Sequence, residues 1–326
     1  MSSSREVLAS IAPEERSKPM LNLDVDDLPV ERTLGVVWDA ESDVFQFKVK
    51  MESAAAETTK RHVLSKISTL YDPLGLVSPV TLFPKGIMQD LWRQIDLEWD
   101  SPVPTEFEKA WRSWRDQLHL IEQLRVPRCI KFVGRSPLKI TLHTFCDAST
   151  KGFGAVVYQR TTYNDNSVSI RLVMSKARVM PLKFLSTPKG ELQAAIVGLR
   201  VGLTVAAELG IATSNCTFWS DSGTVIAWIH SVARKYRVFV ANRIAEILEE
   251  TRLEQWRHVP GELNPVDELS RGTFLLRNGQ RMPDIYLPQC LPVGYVIRFA
   301  IPHYSVIAFS FSKKLKVFFF GRKLDD

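Results

Sequence analysis

Only four cysteines, Cys129, Cys146, Cys216 and Cys290, are spread over the 326 residues, and none has a close partner in sequence. That spacing argues against a zinc site and against a disulfide framework, and it points to an intracellular chain, with cytoplasm and nucleus left open. The first ten residues, MSSSREVLAS, lack the apolar core of a signal peptide. A long unbroken apolar run is missing too. The most apolar stretch, Cys290 to Phe311, is interrupted by Arg298, Pro302 and His303, so it is a poor membrane span and no membrane partner is expected. Repeats and low-complexity tracts are also lacking, which excludes solenoid and disordered-array architectures.

What is present suffices for two cores: 45% of the residues are apolar, and the length fits two domains. The net charge of +6 suits a phosphate-rich partner without identifying one. Residues 1–30 are polar and acidic and read as a loose lead-in. Two short β-rich runs, 33–39 and 44–49, predict a hairpin with its turn at 40–43. Helical spacing follows at 61–70, ends at the Pro73 and Gly75 breakers, resumes at 84–95, and resumes again from Thr105 to about Leu124 behind Pro102 and Pro104. Residues 126–137, with Pro127, Gly134 and Pro137, read as a linker.

Downstream the pattern changes. Strands are expected at 139–147, 155–159 and 169–176. A long helix is expected from Pro188 to about Leu209, closed by Gly210, and then a strand at 216–220, helices at 223–231 and 236–250, a strand at 253–259 and a short helix at 266–271. This β-β-β-α-β-α-α-β-α order predicts an α/β fold, a mixed sheet with helices on its faces.

Four acids stand at the ends of these elements: Asp147 closing the first strand, Glu191 in the first turn of the long helix, Asp221 closing the fourth strand, and Asp267 opening the last helix. Each alone fits a cap or a dipole partner. Together they form an oxygen-donor set of the kind that hard divalent cations take, and two such ions can drive in-line phosphodiester displacement. Without metal, clustered carboxylates repel and at least one keeps its proton.

This order of acids resembles the ribonuclease H superfamily, and the local wording resembles a BEL/Pao-type retrotransposon polyprotein. The residues that carry the resemblance are FCDAS at 145–149, GFGAVVY at 152–158, SKARV at 175–179, ELQAA at 191–195, FVANR at 239–243, WRHVP at 256–260, NPVD at 264–267 and SRG at 270–272. Upstream, RTLG at 32–35, KRHVLS at 60–65 and DPLGLVSP at 72–79 resemble the end of that element's reverse transcriptase and its thumb-like connection. The resemblance implies a reverse-transcriptase C-terminal region at 31–125, a five-stranded ribonuclease-H-like domain at 137–272 and an unassigned tail at 273–326. It implies two Mg²⁺ (or Mn²⁺) ions held by Asp147, Glu191, Asp221 and Asp267. It also implies hydrolysis of the RNA strand of an RNA–DNA hybrid, with the rest of the polyprotein as a partner.

The chain departs from the family in two places. Many ribonuclease H domains carry a His in the loop before the fourth acid, where this chain has Glu262; His258 lies in the preceding strand and reads as structural. A polymerase palm is lacking, since Val25 to Leu28 (VDDL) has only 24 residues before it and reads as coincidence, so no polymerase activity is expected. A rival motif is DSG at 221–223, which spells an aspartic peptidase triplet, and sequences of this class are often filed as Pao retrotransposon peptidases. A second triplet is absent, and an expected helix rather than a strand follows it. A third reading is a non-catalytic relic that binds nucleic acid. Candidate phosphate contacts are Arg234, Lys235, Arg237 and Arg243, with Lys151 and Lys176 weaker; Phe239, Ile244, Ile247, Trp219 and Trp228 are expected in the core.

Overall fold

The computed structural model describes residues 20–22, 36–39, 42–49, 57–130, 135–183, 185–231, 236–272, 276–277 and 280–281. The VDDL segment, Cys290 and nearly all of the 273–326 tail lie outside them. The described residues divide into two compact units, one built from those before 74 and from 94–135, the other from 74–93 and from 136–281.

The first unit holds a four-stranded antiparallel sheet in chain order: β1 (Met20–Asn22), β2 (Val36–Asp39), β3 (Val44–Phe47) and β4 (Val126–Pro127). The expected hairpin is β2–β3, closed where Asp39 pairs with Val44. The Asp39 carboxylate accepts the Ser42 amide at 3.2 Å and its hydroxyl at 2.6 Å, while Asp43 takes φ +53°, which Asp tolerates better than most residues. Asp43 then accepts the Trp38 indole N–H at 3.1 Å and pairs with Arg128, whose guanidinium lies 4.7 Å from the Trp38 ring centre. That cluster joins β4 to the hairpin, so the expected linker begins as a strand. Helix α1 (Lys60–Thr69) starts where the Thr59 side chain accepts the His62 amide at 3.2 Å.

Helix α2 (Ser78–Arg93) belongs to the second unit. It starts six residues earlier than spacing predicts, and Pro84 lies inside it. Back in the first unit, helix α3 (Thr105–Arg115) is shorter than expected; a 3₁₀ turn takes over at Leu118–Gln123. Its acidic first turn and basic last turn complement the helix dipole, and Trp111 and Trp114 are buried with ring centres 5.0 Å apart.

The second unit is an α/β fold on a five-stranded mixed sheet, in spatial order β7 (Val168–Val179), β6 (Gly152–Tyr163), β5 (Pro137–Ala148), β8 (Cys216–Ser220), β9 (Trp256–His258). The β5–β6–β7 meander is antiparallel; β5–β8 and β8–β9 are parallel. Helices α4 (Thr187–Leu209), α5 (Gly223–His230), α6 (Val238–Glu250) and α7 (Asp267–Arg271) complete the expected element order. Gly210 ends α4 with φ +64°, a left-handed cap that costs glycine little. By length and composition α4 is apolar enough to cross a membrane, and 56% of that window is buried. Ala194, Val197 and Gly198 of this helix pack on Cys146 and Ala155 of the sheet.

Gly198 sets how close α4 comes. A Cβ there would stand 2.2 Å from the Cys146 Sγ. Gly→Ala in a helix interior gains about 1 kcal/mol from propensity, but overpacking costs about 1–3 kcal/mol, so the clash wins. Gly198→Ala should therefore lower the thermal midpoint by a few degrees; a rise in a melt followed by circular dichroism would contradict this packing.

Candidate active site

Strand register brings the first two acids together. Cys146 on β5 is paired in parallel with Ser220 on β8, so the next residues, Asp147 (still paired with Gly154 on β6) and Asp221 (just past β8), stand side by side at the C-terminal ends of the two strands. Close packing of α4 on the same two strands carries Glu191 over that end. Because α4 begins at Thr187, Glu191 stands just past the first turn rather than inside it. One carboxylate oxygen from each of Asp147, Glu191 and Asp221 lies within 4.8 Å of the other two.

Asp267 is the first residue of α7 and is not in that group of three. Its carboxylate accepts from Arg271 at 2.8 Å, one helical turn on. Its charge nevertheless acts on both Asp147 and Asp221.

Burial and crowding shift these acids upward. Burial, reinforced by the charges of Asp147 and Asp221, raises Glu191 to about 9. Burial again, with Asp221 and Asp267, raises Asp147 to about 6, opposed by the neighbouring Ser270 side chain and the Ala148 amide. Asp221 is raised by burial and by Asp267, opposed by the neighbouring Asn264 side chain and by His258. Glu191 also keeps one buried oxygen, Oε2, with no hydrogen-bond partner. A buried acceptor of that kind is expensive to leave unmet.

The three acids fit a hard divalent cation: all donors are oxygen, they converge within the reach of one ion, and the unpartnered Glu191 oxygen has no competing bond to break. In the absence of metal the same crowding has a thermodynamic signature. The unfolded chain ionises Glu191 near its ordinary value of 4.5, whereas the folded chain keeps the proton until about 9. The folded state thus binds more protons in that window. Its stability contribution is full below 4.5 and is lost as pH rises toward 9. With EDTA present, Glu191→Gln should match the parent near pH 4.5 and exceed it at pH 8 by up to about 5 kcal/mol, at about 1.4 kcal/mol for each pH unit between. Equal melting profiles at pH 8 would contradict the crowding.

Other expected residues fall in mixed places. His258 is exposed, and its Nε2 lies 3.1 Å from the Asp221 carbonyl oxygen. Arg234 and Lys235 lie outside the described residues. Arg237 is exposed where the chain enters α6. Arg243 is already engaged: Nε donates to Gln193, Nη1 donates to the Phe239 carbonyl at 2.9 Å, and the guanidinium stacks 3.6 Å from the Phe239 ring centre. Lys189 approaches the same ring at 5.5 Å, so Phe239 is a half-buried cation platform rather than a core residue. Ile244, Ile247 and Trp219 are buried as expected, while Trp228 is only half-buried, its ring edge-on to Tyr236. The DSG triplet is not a peptidase loop here: the Ser222 hydroxyl accepts the Val225 amide at 3.4 Å and Gly223 opens α5. Sequence reasoning named neither Asn264 nor Ser270 as a partner of the acids. Both lie inside the motif that carries Asp267, which was the available signal.

Among curated proteins nothing matches the chain. Solved structures are similar at low identity. Ribonuclease H1 of the halophilic archaeon Halobacterium salinarum is 18% identical, covering 38% of this chain and 89% of its own, with a TM-score of 0.26. LC11-RNase H1, solved with an RNA/DNA hybrid, is 16% identical over 39% of this chain and 88% of its own, with a TM-score of 0.24. The foamy viral protease-reverse transcriptase, also solved with an RNA/DNA hybrid, is 12% identical over 76% of this chain and 31% of its own, with a TM-score of 0.35. The model of the Pao retrotransposon-like RNaseH-like domain matches residues 59–222, half of the chain, from the start of α1 to the residue after Asp221. The chain therefore belongs to the Pao retrotransposon-like RNaseH-like domain family.

Proposed function

We propose that this chain is a retroelement ribonuclease H that hydrolyses the RNA strand of an RNA–DNA hybrid with two divalent ions, Mg²⁺ or Mn²⁺. The observation that carries the reading is the convergence of Asp147, Glu191 and Asp221 at the ends of β5, α4 and β8, with one Glu191 oxygen unpartnered. Asp267 is the fourth acid of the proposed set. When bound, the ions would supply Lewis-acid activation of water and stabilise charge on the leaving oxygen.

The residues of the chain do the rest. Asp147 and Asp221, at the ends of rigid strands, and Glu191 would hold the ions, with Glu191 giving up its proton where an ion takes its place. Arg237, exposed where the chain enters α6, tracks phosphates together with Arg234 and Lys235, and Arg243 joins α6 to α4 through Gln193. A hybrid is recognised by its backbone and 2′-hydroxyls, so no base reading is needed. The rest of the polyprotein would bring the hybrid to the site, inside the cell.

The test is a labelled RNA–DNA hybrid incubated with the full chain, with Mg²⁺ or with EDTA, beside a casein digest. Hybrid cut only with metal is expected. Digestion of casein would favour a peptidase, and inertness toward both would mark a relic.

A further inference from the structure

The segment 264–270 brings the acids more than a fourth carboxylate. Asn264 is 5% exposed and fully engaged. Its Nδ2 donates to the Cys146 main-chain oxygen at 3.0 Å and its Oδ1 accepts the Val266 amide at 3.3 Å. Held by those two bonds, the side chain stands beside the Asp221 carboxylate and favours its ionised form. One side chain thus ties the tip of β5, next to Asp147, to the turn that leads into Asp267, with the acid at the tip of β8 as its neighbour. Ser270 does something similar from the far end of the segment. Its hydroxyl donates to the Asp267 carbonyl at 3.1 Å beside the Asp147 carboxylate, while its own carbonyl accepts the Ser149 hydroxyl at 2.7 Å.

We infer that Asn264 is a positioning residue for the metal-binding acids: it fixes the Asp221 carboxylate relative to the strand that carries Asp147, before any ion arrives. The inference rests on the metal reading of the acid cluster. The chemistry explains the choice of residue. A lysine or arginine at this place would pair with Asp221 and compete with the cation. An aspartate would add one more like charge and bring no donor. A neutral amide with two N–H groups favours the ionised form of Asp221, leaves the net negative charge of the site intact, and sets the spacing between two acids. Partners that orient metal ligands typically matter by about ten- to a hundredfold in metal affinity.

The experiment measures Mn²⁺ binding to the full chain, without nucleic acid, from the loss of the free-ion electron paramagnetic resonance signal. Asn264→Ser and Asn264→Ala are compared with the parent, with Asp147→Asn as the control that empties the site. The expected result is Mn²⁺ affinity at least about tenfold weaker in Asn264→Ser, with a cooperative melt retained. Unchanged affinity in a folded variant overturns the positioning role and leaves the metal site standing. No Mn²⁺ binding by the parent chain overturns both. If the variants lose their cooperative melt, the parent decides the matter. The Asn264 side-chain NH₂ signals, assigned by NMR, should move during a Mg²⁺ titration with the midpoint of metal binding, and signals that stay still overturn the inference.

Discussion

Asp147→Asn should reduce Mg²⁺-dependent cutting of an RNA–DNA hybrid by at least about a hundredfold without lowering the stability of the metal-free chain. The two halves of this expectation have one cause. Asp147 is 5% exposed and sits among Glu191, Asp221 and the charge of Asp267. With metal, its negative charge is what the ion needs. Losing one hard oxygen ligand and one charge weakens both binding and charge stabilisation, and about 3 kcal/mol of either is a hundredfold. Without metal, that charge is a burden. Burial, Asp221 and Asp267 hold Asp147 at about 6 rather than its ordinary 3.8, so its contribution to stability is full below 3.8 and lost as pH rises through 6. The amide has the same shape and no charge, so the metal-free variant should melt at or above the parent at pH 7. Cleavage at the parental rate would remove Asp147 from the site. A variant that melts well below the parent would mean that the side chain holds the fold, and its lost activity would then say nothing about metal.

The second large effect concerns where the RNaseH-like unit begins. A fragment spanning 136–272 should fail to melt cooperatively. The reason is α2, which precedes the sheet by more than forty residues yet packs on β7 and α7. The Ser175 amide donates to the Leu74 carbonyl at 2.8 Å, the Ser175 hydroxyl donates to the Gly75 carbonyl at 2.5 Å, and the Gln89 side chain donates to the Met180 carbonyl at 2.7 Å. Leu82 packs on Gly152, and Phe83 packs on Gly272 at the end of α7. Leu76, Val77, Val80, Leu82, Ile87, Met88 and Leu91 are all buried. At about 1.5–3 kcal/mol for each fully buried side chain, discounted for compactness of the unfolded chain, their loss is worth about 6–19 kcal/mol. A typical domain has only about 5–15 kcal/mol in total. A synthetic peptide of residues 74–93 should restore part of the transition. A urea melt of 136–272 that is cooperative by itself would show that α2 is dispensable.

The same helix shows where reading the sequence stops. Asp72 to Pro79 has a recognisable wording, and its Pro and Gly mark a break in helical spacing. Nothing local says that the following helix packs on a strand beginning at residue 168. Phe239 illustrates a smaller version. Its spacing with Ile244 and Ile247 suggests one buried face, but the cations that reach its ring come from α4 and from the next turn, and they keep it half-exposed. Arg243 likewise reads as a free phosphate ligand, until α4 supplies Gln193 as its partner.

Helix caps, strand alternation, glycine stops and the order of the four acids are local or pairwise patterns, and the sequence alone determined them: the element order, the mixed sheet, and Asp147, Glu191 and Asp221 as residues of one site. Tertiary structure alone decided that α2 completes the RNaseH-like unit, that Asp267 is held by Arg271 while the other three acids converge, and that Asn264 joins the turn before Asp267 to the strand that carries Asp147. These facts depend on which hydrogen-bond donor meets which acceptor across distant segments, and a side chain's type does not specify its partner.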